Sequence, residues 1–224
     1  LFGWFRRRTP AAGERCVILF GDCFSAYNEP GIGHAAVRLL EAFGYRVVLA
    51  DVGCCGRSLI STGMLAEARR DVARASQALS ELLESTRAEA VLVLEPSCAS
   101  AIRDDWLELP PEMPDDRAME RRRTLAMQTF LVEEFLDRNW ESHPRRPELP
   151  AQGDHVVLHG HCHQKALWGT ESSAKFLRRL FGERLTVLET GCCGMAGSFG
   201  YVDRRYELSM AIGDQKLFPA VRAA

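Results

Sequence analysis

The chain has 224 residues, of which 46% are hydrophobic and 26% are charged, and its formal net charge is −2. This length is enough to bury a full core in one large domain or in two small ones. The composition is that of a globular protein, and it argues against a disordered chain and against a surface built to bind nucleic acid.

Neither a membrane span nor a secretory leader is predicted. No apolar run reaches the roughly 20 residues that a membrane-spanning helix needs, and the N-terminus lacks the apolar core of a signal peptide. We therefore expect a cytoplasmic protein, with peripheral attachment at the inner face of the membrane as the alternative. Residues 1–13, which start with Leu1, are expected to be the remnant of a preceding segment.

Residues 14–110 are predicted to form a first unit built on three strands. The first strand, at 16–21, is almost continuously apolar, which is typical of a strand buried on both faces of a sheet. The elements predicted after it are a helix with Ala36, Leu39 and Phe43 on its apolar side that ends at Gly44, a strand at 46–51, a helix at 64–84 and a strand at 90–98.

Residues 111–150 are predicted to be a linking excursion, in which proline-rich stretches bracket a helix at about 117–139. Residues 151–224 then form a second unit. Its predicted elements are a strand at 155–159, a helix that ends at Gly182 and a strand at 184–189. We expect this unit to be truncated before its third strand, because the equivalent of residues 90–98 would fall at about 228–236.

The two units are a sequence repeat. When residues 17–56 are laid over 156–194, the cysteines coincide after one gap, since Cys23 precedes Cys54 by 31 residues and Cys162 precedes Cys192 by 30. Such a match indicates one supersecondary module used twice. We predict an α/β fold with two pseudo-symmetric βαβ-based units, small parallel sheets and metal sites at the C-terminal ends of the strands.

Eight cysteines are too few for a disulfide scaffold in a chain of this length, and their clustering with glycine and histidine favours metal chemistry in a reducing compartment. The adjacent pairs are poor disulfide partners, because neighbouring Cα atoms lie about 3.8 Å apart and a disulfide usually spans about 4.4–6.8 Å. Cys16 lies at the opposite end of the first strand and is expected to be a packing residue.

Four cysteines of the first unit each follow a predicted strand: Cys23 the first, Cys54 and Cys55 the second, and Cys98 the third. The carboxyl ends of parallel strands meet at one edge of a sheet, so these thiols are expected to converge. Four thiolates can hold a structural zinc ion or an iron–sulfur cluster. The cluster is favoured, because adjacent cysteines fit poorly around one small ion, and zinc is kept as the alternative metal.

The glycines that flank the cysteine pairs are expected to let the loops wrap closely around a cluster with positive φ angles, and their backbone N–H groups can donate to sulfur. These loop positions are Gly53, Gly56, Gly191 and Gly194.

The second unit offers three thiols, at Cys162, Cys192 and Cys193. Its fourth ligand is expected to be His161, His163 or a cysteine near position 236. An alternative role for His163 and Lys165 is to meet an anionic group or a proton at the site.

The repeated pattern of a cysteine, about thirty residues, Cys-Cys-Gly and a later cysteine resembles the cysteine-rich CCG domain. This domain occurs in the heterodisulfide reductase B type of protein, in iron–sulfur subunits of glycolate oxidase and anaerobic glycerol-3-phosphate dehydrogenase, and in lactate-utilisation proteins. The stretches LEPSC, HGHCHQKAL and GCCGMAGSFGY are most similar to the C-terminal region of FAD-linked oxidases of the D-lactate and D-2-hydroxyglutarate dehydrogenase type.

This resemblance implies [4Fe-4S] ligation at one or two sites, by Cys23, Cys54, Cys55, Cys98, Cys162, Cys192 and Cys193. The family motif ends in CxxC, but Ala101 stands at the last position here, which argues against a noncubane cluster. No catalytic residue for the organic substrate is expected in this chain.

The implied function is oxidoreductase electron transfer, from FAD in an upstream domain that oxidises a D-2-hydroxy acid to a quinone, cytochrome or other carrier. The implied partners are a flavin-binding domain or subunit and a ferredoxin-like segment. A heterodisulfide-reductase-like thiol/disulfide domain and a zinc-stabilised interaction domain are the alternatives.

Overall fold

The computed structural model describes residues 1–9, 15–149, 155–197 and 199–223. The chain divides into two compact units, Leu1–Glu148 and Leu149–Ala224, and each has its own parallel sheet. The predicted α/β class is therefore confirmed. The boundaries expected at 13–14 and 150–151 lie outside the described residues. None of the described helices is both long enough and apolar enough to cross a membrane.

The first unit is built on a four-stranded parallel sheet in the order β2-β1-β3-β4. Its strands are β1 (Arg15–Phe20), β2 (Tyr45–Ala50), β3 (Val91–Val93) and β4 (Thr129–Leu131). From Val17 to Phe20, β1 is at most 1% exposed. The strand is therefore buried on both of its faces, which explains why it is apolar at every position rather than at alternate ones.

Helices connect these parallel strands in strand–helix–strand order. They are α1 (Phe2–Arg6), α2 (Pro30–Ala42), α3 (Arg57–Ser61), α4 (Leu65–Thr86), α5 (Pro96–Ser100), α6 (Trp106–Glu108), α7 (Asp116–Gln128) and α8 (Val132–Arg138), with π-helical turns at Phe24–Asn28 and Ala101–Asp105. On α2, Leu40 and not Leu39 is fully buried beside Ala36. After α2, Gly44 takes the expected positive φ, +89°.

The third strand is shorter than predicted, and this changes where Cys98 lies. The strand ends at Val93, and the chain turns into α5, whose first residue is Pro96. The carboxylate of Glu95 caps this helix by accepting the N–H of Ser97 at 3.1 Å. Cys98 therefore sits in the first turn of a helix rather than at a strand end.

The predicted single helix at 117–139 is wrong. It is two helices, α7 and α8, separated by β4, which pairs with β3. Residues 111–148, expected as a linking excursion, thus complete the sheet of the first unit. The buried carboxylate of Glu134 fixes the start of α8, since it accepts the N–H of Leu131 at 3.3 Å and pairs with Arg103 at 2.9 Å.

The second unit has a two-stranded parallel sheet of β5 (Val156–Leu158) and β6 (Leu185–Val187). Both strands are shorter than predicted. Its helices are α9 (Cys162–Leu167), α10 (Glu171–Phe181), α11 (Tyr206–Asp214) and α12 (Leu217–Arg222), with 3₁₀ turns at Gly182–Arg184, Phe199–Tyr201 and Asp203–Arg205. The strand–helix–strand order repeats that of β1, α2 and β2, as the sequence repeat predicts.

Candidate metal centre

The structure brings the four thiols of the first unit together at the carboxyl edge of the sheet. The Sγ atoms of Cys55 and Cys98 lie 3.1 Å apart. The thiol of Cys54 lies close enough to those of Cys55 and Cys23 to interact with both. Sulfur atoms that are up to 75 residues apart in sequence therefore form one continuous cluster.

Cys23 is held by the turn that follows it. It directly precedes the π-helical turn Phe24–Asn28 and is exposed. The neighbouring carboxylate of Asp22, only 1% exposed, accepts the backbone N–H of Ser25 at 2.8 Å and also the hydroxyl of Ser25. This buried cap fixes the direction in which the chain leaves β1, and hence the position of Cys23.

The loop that carries Cys54 and Cys55 has the conformation expected from its glycines. Gly53 and Gly56 have φ angles of +90° and +81°. The N–H of Gly56 donates to the sulfur of Cys54 at 3.4 Å, and the N–H of Arg57 donates to that of Cys55. The loop therefore points backbone dipoles at the sulfur atoms, an arrangement that favours negative charge on them.

Without a metal, the thiols of Cys23, Cys54 and Cys55 favour their protonated form. Burial and the neighbouring Cys54 raise the pKa of Cys23. The hydrogen bond with Cys55, together with burial, raises the pKa of Cys54. For Cys55, the bond with Cys54 lowers the pKa, but the contact with Cys98 and burial outweigh it, so the pKa is raised. Four thiolates in this space need a compensating positive charge, which a metal supplies.

The donor set suits a thiolate-bound metal, but the described residues hold no preformed cage for one ion. No group of three or more His, Cys, Asp or Glu among them is arranged to hold a single metal ion. Thiolates around zinc lie about 2.3 Å from the metal and hence about 3.8 Å from each other, which is wider than the 3.1 Å between Cys55 and Cys98. Cys23 and Cys54 lie on the accessible side, so the sulfurs can open outward around a larger group. Four thiols with backbone N–H donors fit an iron–sulfur cluster.

Trp106 supports the cysteine loop from behind, although no sequence pattern assigns it to the site. Its indole N–H donates to the carbonyl oxygen of Cys55 at 2.8 Å. Next to it, Arg57 and Asp105 form an ion pair at 2.6 Å that joins the same loop to the π-helical turn. No motif signals these contacts, because each joins residues about fifty positions apart.

The cysteine loop of the second unit repeats part of this geometry. The N–H of Gly194 donates to the sulfur of Cys192 at 3.3 Å, as that of Gly56 does to Cys54. Gly194 has a φ of +91°, and a Cβ there would lie 2.1 Å from the carbonyl oxygen of Ser209. The expectation of a positive φ is wrong for Gly191, which precedes the cysteine pair in a conformation open to any residue.

The thiols of the second unit are less closely associated. Among the described residues, Cys162, Cys192 and Cys193 form no hydrogen bond with one another, and the first two are exposed. The link between α9 and the loop is instead Lys165, whose ammonium donates to the carbonyl oxygen of Thr190 at 2.7 Å. Lys165 thus binds backbone here.

The two candidate histidine ligands of the second unit pack against each other. The Nδ1 atom of His161 accepts the backbone N–H of His163 at 3.2 Å, and their rings stack with centroids 5.3 Å apart. His161 therefore caps the start of α9, in the place where Asp22 caps the turn of the first unit. Ligation by either histidine stays a prediction.

Comparison with known proteins points to the same part of the chain. Residues 17–103 match the family described as CCG, cysteine-rich domain. The chain is 32% identical over 219 residues to a subunit of the anaerobic glycerol-3-phosphate dehydrogenase of Escherichia coli (strain K12), covering 95% of this chain and 53% of that protein. No solved structure matches it.

Two further relatives carry other names. The chain is 26% identical over 214 residues to D-2-hydroxyglutarate dehydrogenase of Pseudomonas putida, and the aligned region covers 94% of this chain and 19% of that protein. It is 27% identical over 206 residues to lactate utilization protein A of Exiguobacterium sp., and the aligned region covers 90% of this chain and 79% of that protein.

The chain thus spans about half the length of the glycerol-3-phosphate dehydrogenase polypeptide and a smaller part of the D-2-hydroxyglutarate dehydrogenase. The matched residues 17–103 include Cys23, Cys54, Cys55 and Cys98, the four thiols that converge at the sheet edge. This segment of the chain is therefore a cysteine-rich domain of the CCG family.

Proposed function

We propose that this chain is an iron–sulfur electron-transfer part of a flavin-linked dehydrogenase. The observation that carries the proposal is the meeting of four thiols at the carboxyl edge of the sheet, each close enough to a neighbouring thiol to interact with it. The names of the relatives, two dehydrogenases and a lactate utilization protein, support an oxidoreductase assembly. In this proposal the flavin and the organic substrate bind outside this chain.

The role of this chain is to hold the cluster and to set its potential. Cys23, Cys54, Cys55 and Cys98 would bind iron as thiolates, and the N–H groups of Gly56 and Arg57 would stabilise the charge on sulfur. An iron–sulfur cluster, when bound, accepts and passes on single electrons. The accessible position of Cys23 leaves one side of the site open to a redox partner.

The second unit is the place for a further cluster in this proposal. It provides Cys162, Cys192 and Cys193 and the same N–H to sulfur bond at Gly194. In the part of the second unit that the structure describes, two of its three thiols are exposed and none is hydrogen-bonded to another, so we expect it to bind iron less tightly than the first unit.

We further propose that the substrate of the whole assembly is a small anionic molecule with a secondary alcohol. Glycerol 3-phosphate, D-2-hydroxyglutarate and lactate, which the names of the relatives mention, share this chemistry. A D-2-hydroxy acid stays the predicted substrate within this class. A quinone, a cytochrome or another carrier stays the predicted acceptor.

Anaerobic purification of the full chain, followed by iron, zinc and sulfide analysis and EPR spectroscopy, tests the proposal. We expect iron with inorganic sulfide and an EPR signal that appears on reduction. Stoichiometric zinc without iron would refute electron transfer and favour a zinc-stabilised domain. Reduction of the cluster by a small hydroxy compound, in the presence of the flavoprotein, would then identify the substrate.

A further inference from the structure

The peptide group between Cys55 and Gly56 has a hydrogen-bond partner on each side. Its carbonyl oxygen accepts the indole N–H of Trp106 at 2.8 Å. Its N–H donates to the sulfur of Cys54 at 3.4 Å. In a trans peptide the C=O and the N–H point in opposite directions and turn as one rigid plane. The bond to Trp106 therefore aims the N–H at the sulfur.

Trp106 is well placed to hold this plane, because it is completely buried. Loss of its bond would leave an indole N–H and a carbonyl without partners in the interior, and each unpaired buried polar group carries a cost in free energy. The cost opposes any rotation of the Cys55–Gly56 peptide. The side chain of Cys55, on the same loop, is then kept in contact with Cys98 at 3.1 Å.

Trp106 is itself fixed by a buried arginine. The guanidinium of Arg122, 0% exposed, donates to the carbonyl oxygen of Trp106 at 3.1 Å and also to that of Leu109. An arginine without solvent contact is costly to bury, and here it binds backbone carbonyls next to the turn that carries the indole. A rigid support thus runs from α7 through Trp106 to the cysteine loop.

We propose that Trp106 is a positioning residue of the metal centre, which aims the Gly56 N–H at the Cys54 sulfur and so sets the stability and the potential of the cluster. The inference rests on the proposed iron–sulfur function and names the residue that orients the loop. Hydrogen bonds to sulfur stabilise the more negative, reduced state of a cluster, so losing one lowers the reduction potential. Contacts that orient metal ligands typically change metal affinity by about 10–100-fold.

The test is Trp106→Phe in the full chain, which removes the N–H and keeps an aromatic ring. After anaerobic reconstitution, we expect about tenfold faster release of iron to a chelator, a lower reduction potential and an altered EPR signature. Trp140→Phe is the matched control, because Trp140 packs on Phe43 in the same unit, with ring centroids 6.1 Å apart. This control should retain the wild-type potential and release rate.

Two additions keep the result decisive. If Trp106→Phe does not fold, 3-benzothienylalanine at position 106 removes the N–H while the shape of the indole is kept. Cys55 is 3% exposed in the wild-type chain. In the metal-free chain, we expect the variant to raise the alkylation rate of Cys55 at least fivefold. The inference is overturned if a folded variant shows the wild-type potential, iron release and alkylation rate. Absence of iron from the wild-type chain would instead refute the proposed function, and the alkylation assay would still judge Trp106.

Discussion

Gly56→Ala is the substitution whose effect the structure predicts most fully. Gly56 has a φ of +81°, and an alanine in this left-handed region costs about 1–2 kcal/mol. The added Cβ would also lie 3.2 Å from Cγ2 of Val72 on α4. That approach is tighter than an ordinary contact and adds about 1 kcal/mol, at the low end of overpacking costs. Together these effects destabilise the first unit by about 2–3 kcal/mol.

Gly63→Ala is the matched control. Gly63 has nearly the same φ, +79°, but nothing lies within 4 Å of an added Cβ. It should lose only the backbone share, about 1–2 kcal/mol. For a chain of this size, 1 kcal/mol lowers the melting temperature by about 2–4 °C, so we expect losses of about 4–12 °C for Gly56→Ala and about 2–8 °C for Gly63→Ala.

Thermal unfolding followed by circular dichroism measures this difference, and iron release from the reconstituted chain measures the effect on the site. Gly56→Ala should also release iron faster, because its N–H donates to the sulfur of Cys54, whereas Gly63→Ala should not. Equal melting temperatures for the two variants would show that Gly56 does not pack against Val72 as described. Unchanged iron release from Gly56→Ala would show that the loop tolerates a shift of this N–H.

Three other predictions test separate parts of the chain. Cys98→Ser should remove the iron that the first unit binds and Cys16→Ser should not, as measured by iron analysis after anaerobic reconstitution, since Cys16 is buried on β1 away from the other thiols. Equal losses would refute the assignment of Cys98. Burial lowers the pKa of His143, so the neutral imidazole stabilises the fold above the unfolded-state pKa of about 6.5, and this contribution is lost as the pH falls below that value. The free energy of unfolding, measured with urea, should therefore depend less on pH between about pH 5 and pH 7 in His143→Gln than in the wild type. A pH dependence parallel to that of the wild type would contradict this. Lys165→Met removes the hydrogen bond to the carbonyl oxygen of Thr190. We expect faster alkylation of the cysteines in the second unit only, measured by peptide mass spectrometry, and an unchanged rate would show that Lys165 does not order the cysteine loop of that unit.

Much of the fold follows from local sequence signals. The continuous apolar run at 16–21 predicts β1 to within one residue, and the three-four spacing on α4 predicts that helix to within two. The short strand β4 could not be predicted, because its three residues lie between two helical patterns and gain their strand conformation only by pairing with β3. Tertiary pairing overrides local propensity in such short elements.

The site was predictable to the extent that parallel strands dictate it. The positions of Cys23, Cys54 and Cys55 after their strands place these thiols at one edge. For Cys98 the argument from strand ends was incomplete, since Cys98 reaches the carboxyl edge of the sheet through the helix cap at Glu95 and the first turn of α5. Trp106 could not be found at all, because a single tryptophan in a sequence does not show which carbonyl its N–H will meet.

The two cysteine loops share one hydrogen bond but differ in how the first cysteine of each unit is joined to the loop. In the first unit a thiol of the loop, that of Cys54, interacts with the thiol of Cys23 directly. In the second unit the equivalent link runs from Lys165, one turn after Cys162, to a backbone carbonyl. A charged ammonium near the loop favours negative charge at that site, whereas the first unit depends on neutral backbone N–H donors. If both units bind clusters, this difference alone predicts a higher reduction potential for the cluster of the second unit.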